Sequence, residues 1–184
     1  ITSKDYSGAL EFLKNKKSAK ERALFQKVAF YRGVELFSEG NYHLAKENFE
    51  NSLTIPLDQT FTAKATFWKG ESNYRLNNFI EALADFEKFA TNIEAPKTNE
   101  FENINYNMAY ALFKQKEYTQ AISEFNKYIS KNTDDKVRRN DSYLRIADGF
   151  FINSDYSTAI NYYNKAIETN GIEGDYAQFQ KAIC

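Results

Sequence analysis

Apolar residues recur three or four positions apart through most of the chain, as in Ala45, Phe49, Leu53 and again in Ala121, Phe125, Ile129. That is the period of one helix face and not the alternation of a strand. The apolar stretches are interrupted by short polar breaks, Glu39-Gly40-Asn41, Leu76-Asn77-Asn78, Gln115-Lys116-Glu117 and Asn153-Ser154-Asp155. Residues of these types stop one helix and cap the next. The pattern predicts an all-α chain with helices near 5–16, 19–38, 41–54, 59–76, 78–92, 98–115, 117–131, 135–152 and 155–169, and a tenth from about 174.

One motif comes round four times. Gly33, Tyr42, Ala45, Phe49 is followed by Gly70, Phe79, Ala82, Phe86, by Ala109, Tyr118, Ala121, Phe125, and by Ala147, Tyr156, Ala159, Tyr163. Spacing within a copy is constant, while the copies lie 37, 39 and 38 residues apart. Fixed units joined by variable loops describe a repeat array. Each unit reads as a helix hairpin, with the small residue placed where its two helices approach closely.

These residues resemble the tetratricopeptide repeat, whose pattern has a small residue at position 8, an aromatic at 17, Ala at 20 and an aromatic at 24. The Trp common at position 4 is replaced by Ala29, Thr66, Asn105 and Tyr143, and the apolar anchor moves one place on, to Phe30, Phe67, Tyr106 and Leu144. Pro at position 32 is missing from every copy. The run Ala65-Thr66-Phe67-Trp68-Lys69-Gly70-Glu71 looks like the bacterial envelope branch, similar to TolA-binding proteins and the outer-membrane barrel-assembly lipoprotein. The resemblance implies a right-handed α-solenoid of stacked antiparallel hairpins. It divides 1–184 into a half repeat at 1–17, repeats at about 26–58, 63–97, 102–134 and 140–173, and a half repeat at 174–184. Tyr6, Ala9 and Leu13 repeat a second-helix signature with no first helix before them, and Phe179 and Ala182 repeat a first-helix one, so a segment of a longer array is expected.

Composition narrows the function. A formal charge of −1 with pI near 6.0 carries no polyanion-binding signature, so nucleic acid is not an expected partner. The basic run Lys14 to Arg22 reads as a solvated loop and helix start. One Cys, at 184, allows no disulfide framework, and no stretch approaches the ~20 apolar residues of a bilayer-spanning helix. High Asn, Lys, Tyr and Phe with 2 Pro points to an AT-rich bacterial genome. Catalytic chemistry is thinly provided. His43 is the single histidine, beside the aromatic Tyr42 and with no Cys or second His at ligand spacing. Asp134-Asp135 suits a helix cap, and Gly171-Ile172-Glu173-Gly174 lacks the Lys and the preceding strand of a phosphate loop. No catalytic, cofactor-binding or metal-binding residue is assigned, and an enzyme is not expected.

What is left is surface. In the family resembled, first helices line a concave face and contact ligands from positions 2, 5, 6, 9, 12 and 13. Carried over, this implies a protein-binding set of Tyr31, Phe37, Trp68, Glu71, Tyr74, Arg75, Asn107, Tyr110, Phe113, Lys114, Arg145 and Asp148, while Phe30, Phe67, Tyr106 and Leu144 read as packing. The Lys/Asn clamp that reads a terminal carboxylate in chaperone-binding members is matched by Asn107 and Arg145 but broken by Phe67, Glu71 and Asp141. The expected function is a noncatalytic scaffold holding a protein or peptide segment on that face. The alternatives are a structural spacer or end-to-end self-association module in a larger envelope protein, or the repeat region of an enzyme whose active domain lies elsewhere. The resemblance favours a periplasmic or outer-membrane-associated location over a cytoplasmic one.

Overall fold

The computed structural model describes residues 5–131, 134–169 and 174–184, and among them it contains ten α-helices and no strand. The helices are α1 (Tyr6–Leu13), α2 (Ala19–Ser38), α3 (Tyr42–Leu53), α4 (Gln59–Arg75), α5 (Phe79–Ala90), α6 (Ile104–Lys114), α7 (Tyr118–Ser130), α8 (Lys136–Ile152), α9 (Tyr156–Glu168) and α10 (Gly174–Ile183). Asp135 caps α8 through its side chain, as its sequence position suggests. The glycine-containing stretch at 171–173 falls outside the described residues.

One boundary differs clearly from expectation. The helix expected from 98 begins at Ile104 and is preceded by two 3-10 turns, Ala95–Lys97 and Asn99–Asn103. Thr98 is extended (φ −106°, ψ 150°), its hydroxyl donating to the Ala95 carbonyl at 2.7 Å, and this break keeps the two turns from joining into one helix.

All four polar breaks close in the same way. Gly40, Asn77, Lys116 and Ser154 each adopt a left-handed backbone, with φ between 62° and 81°. The following N–H reaches back to the carbonyl five residues earlier: Asn41 to Leu36, Asn78 to Asn73, Glu117 to Leu112 and Asp155 to Phe150, each at 2.9 or 3.0 Å. With the bonds from Gly40, Asn77, Lys116 and Ser154 to Phe37, Tyr74, Phe113 and Phe151, this is a Schellman closure repeated four times.

The signature residues are the buried ones. Ala45, Ala82, Ala121, Ala159, Phe49, Phe86, Phe125 and Tyr163 are fully buried. The small residues make room for the rings: a Cβ on Gly33 would lie 2.6 Å from Phe49 Cε1, and one on Gly70 would lie 2.8 Å from Phe86 Cε1. Ala109 and Ala147 hold the same place and are fully buried.

The chain forms two compact units, residues 1–101 and 102–184. In the first, α1 to α5 pack in sequence order, with a core of Phe30, Leu36, Ala45, Phe49 and Ala65 at the α2–α3–α4 junction. Gln26 fastens that junction. Its amide nitrogen donates to the Asp58 carbonyl (3.0 Å) and Thr62 Oγ1 (3.1 Å), its amide oxygen accepts from Asp58 N (2.8 Å), and its backbone carbonyl accepts from Ser52 Oγ (2.9 Å). In the second unit α6 to α10 pack in the same order, and Leu144, Ala147, Ala159, Tyr163, Ala166 and Ala177 form the core of its last three helices.

Candidate protein-binding surface

First helices with a chemistry-bearing face are α2 and α4 in the first unit and α6 and α8 in the second. Phe37 is the penultimate residue of α2, half-buried, its ring edge-on to Trp68 of α4 at 5.1 Å and to Tyr42 of α3 at 5.1 Å. Arg75, exposed at the end of α4, places its guanidinium 6.0 Å from the Phe37 ring centre and 5.9 Å from that of Tyr42. Trp68 is half-buried, and its indole N–H donates to Glu100 Oε1 at 3.1 Å. Tyr74 and Glu71 are half-buried on the same helix. Tyr31 is 47% exposed, with its ring stacked on Tyr6 at 6.3 Å and edge-on to Phe61 at 5.7 Å.

The periodic reading did not anticipate a clasp of aromatics. In every repeat the residue at position 12 packs edge-on against the aromatic at 17, across the left-handed turn: Phe37 with Tyr42 (5.1 Å), Tyr74 with Phe79 (5.4 Å), Phe113 with Tyr118 (5.1 Å) and Phe151 with Tyr156 (5.4 Å). Phe37, Tyr74 and Phe113 therefore give part of their surface to closing their own hairpins. A five-residue aromatic spacing straddling each polar break was the available signal.

In the second unit the predicted residues meet in a polar chain. Asp141 Oδ2 accepts from the hydroxyls of Tyr106 (2.8 Å) and Tyr110 (2.5 Å), while Asp141 Oδ1 accepts from Arg145 Nε (3.3 Å). Arg145 Nη1 donates to Asp148 Oδ2 (2.6 Å), and Asp148 Oδ1 accepts from Tyr163 (2.8 Å) and Tyr176 (2.9 Å). Burial, reinforced by the neighbouring acidic groups, pushes the Tyr106, Tyr110, Tyr163 and Tyr176 phenols above their usual range, so they remain donors. Burial alone would weaken the charge on Arg145, but Tyr110, Asp148 and Asp141 outweigh it and raise its pKa.

This geometry corrects one surface assignment. Asp148 is only 7% exposed, because α9 and α10 bring Tyr163 and Tyr176 onto a carboxyl group that α8 already holds beside Arg145. It holds the hairpins together and is no surface contact. Tyr106, read as packing, is half-buried and also tied to Asp141. Lys114 is exposed, and Asn107, Tyr110, Phe113 and Arg145 are half-buried. His43 is exposed. Among the described residues no group of three or more His, Cys, Asp or Glu could hold a metal, and no helix is long and apolar enough to cross a membrane.

Helix hairpins repeated on one pattern, each closed by the same turn and the same aromatic pair, define a tetratricopeptide-type repeat protein, a class of noncatalytic protein-interaction scaffold. The chain belongs to the YfiO family, described as outer membrane lipoprotein, whose family model matches residues 59–181, about two thirds of the sequence. Solved structures share the fold. MamA from Desulfovibrio magneticus RS-1 aligns with a TM-score of 0.68 at 18% identity, covering 91% of this chain and 86% of its own. YrrB, described as a TPR protein with an unusual peptide-binding site, aligns at 0.66 and 17% identity, covering 97% and 81%. BtubC from P. vanneervenii aligns at 0.64 and 12% identity, covering 89% and 70%. At such identities the likeness is one of fold. No curated protein matches the chain.

Proposed function

We propose that the chain binds protein, as an extended or helical segment, on its first-helix faces, those of α2 and α4 in the first unit and those of α6 and α8 in the second. The observation that carries this reading is the Phe37–Tyr42–Trp68–Arg75 cluster, half-buried rings beside an exposed guanidinium. Large rings with few rotatable bonds, flanked by Arg, are what anchors in protein interfaces are made of. Tyr31 and Glu71 extend that surface in the first unit, and Asn107, Tyr110, Phe113, Lys114 and Arg145 supply its counterpart in the second. YrrB, a TPR protein with an unusual peptide-binding site, supports peptide binding as a use of this fold. The family description supports a setting at the outer membrane, with the partner an envelope protein.

Trp68 is the single tryptophan, so its fluorescence reports on the first unit directly. Peptides selected from a random library on the purified chain should perturb that emission. Their affinity should fall by at least ~2 kcal/mol on Trp68→Ala and measurably on Arg75→Ala, and should stay unchanged for Glu87→Ala on the exposed side of α5. Arg75 is exposed, so its variant keeps the test meaningful if Trp68→Ala loosens the core. Affinity that survives Trp68→Ala, Arg75→Ala and Tyr110→Ala alike would overturn the assignment.

A further inference from the structure

The corner where α1 turns into α2 is a basic segment in a chain that is slightly acidic as a whole. Lys14, Lys16, Lys17, Lys20 and Arg22, set against Glu11 and Glu21, give residues 11–22 a net charge of +3, although the whole chain is −1. Lys14, Lys17, Lys20 and Arg22 are exposed, Lys16 is half-buried, and none of the five forms a salt bridge among the described residues. Glu21 is drawn into the cap of α2: its backbone N–H donates to Ser18 Oγ at 3.2 Å, and the Ser18 hydroxyl donates back to Glu21 Oε2 at 2.5 Å. The N-terminus of a 20-residue helix lies within the same segment and adds its own positive end.

Apolar side chains stand out at the same corner. Phe12 is 67% exposed, with Lys16 Nζ 4.4 Å above its ring centre, and Leu24 is 50% exposed one turn into α2. A ring this exposed can dip below a headgroup layer while the ammonium beside it stays at the phosphates. An acidic protein segment would answer the lysines, but it would leave the open rim of Phe12 without an apolar counterpart.

We propose that this corner of the first unit, with Phe12 as apolar anchor and Lys14, Lys16, Lys17 and Lys20 as phosphate contacts, docks on an anionic phospholipid surface. The patch lies apart from the first-helix cluster around Trp68, and the proposal stands whether or not that cluster binds a peptide. A net three cations near a charged leaflet should favour anionic over neutral vesicles by roughly a hundredfold, with the advantage falling as salt screens it.

Co-sedimentation of the purified chain with phosphatidylcholine vesicles, with and without phosphatidylglycerol, tests this. Binding confined to the anionic vesicles, weakened by salt, abolished by combined K14E, K16E, K17E and K20E and weakened severalfold by F12S, is the expected result. All five side chains are exposed or half-buried, so circular dichroism should confirm that the variants fold. Equal binding to both vesicle types, or binding indifferent to the charge reversals, overturns the proposal. Capture of polyglutamate without capture of vesicles overturns it as well, and binding unchanged by F12S removes Phe12 as the anchor.

Discussion

Gly33 and Gly70 show what the repeat demands of single residues. A methyl group at Gly33 would meet the Phe49 ring at 2.6, 2.7 and 2.9 Å, and one at Gly70 would meet Phe86 at 2.8 and 2.9 Å. Gly33→Ala and Gly70→Ala should each cost about 1–3 kcal/mol by denaturant midpoint, and Phe49→Leu in the Gly33→Ala background should recover part of that loss. Gly149→Ala should cost less, because its nearest neighbour is the Ile122 Cδ1 methyl at 2.9 Å, the flexible end of a side chain. Equal penalties at all three sites would contradict this account. The need for a small residue was legible from repetition, since Gly33, Gly70, Ala109 and Ala147 keep one distance from the aromatics they face. The burial of Asp148 was not, because the phenols that claim it come from 15 and 28 residues further along the chain.

Elements in this chain are set by their ends. The polar breaks could be read as turns, but not that each forces one residue into left-handed backbone; only Gly40 of the four is glycine, while Asn77, Lys116 and Ser154 bear the strain. Lys116 and Ser154 are exposed, so Lys116→Gly and Ser154→Gly should each stabilise by roughly 0.5–1 kcal/mol in thermal melts, less strain offsetting greater chain entropy. A loss of stability would mean that the turns are held by something other than backbone geometry. The start of α6 escaped the periodic reading because Ile104 continues a pattern that the extended Thr98 breaks in three dimensions. Gln26 was equally hidden, a polar residue in an apolar stripe whose partners lie 26 to 36 residues away. Its replacement by Ala strands the Asp58 N–H and should cost about 1–3 kcal/mol, with hydrogen exchange loosening α2 and α4 first.

At the scale of the whole molecule the two units differ in chemistry. Tyr106, Tyr110, Tyr163 and Tyr176, whose pKa values rise on folding, all belong to residues 102–184. A group whose pKa is raised on folding contributes stability in full below its unfolded value, near 10 for tyrosine, and loses it as pH climbs towards the folded value. Hydrogen exchange of α8 and α9 should therefore accelerate above about pH 10 before Trp68 emission reports loosening of the first unit; simultaneous loss would contradict the polar chain's role. Function turns on which helix faces meet a partner. The measurement that tests this most directly is photo-crosslinking in cells, with a photoreactive side chain placed in turn at Tyr31, Arg75 and Lys114 on first helices and at Glu47, Glu87 and Lys165 on second helices, all six being exposed. Binding on first-helix faces gives one common protein adduct from the first-helix positions and none from the second; an adduct from Glu47, Glu87 or Lys165 alone would contradict it.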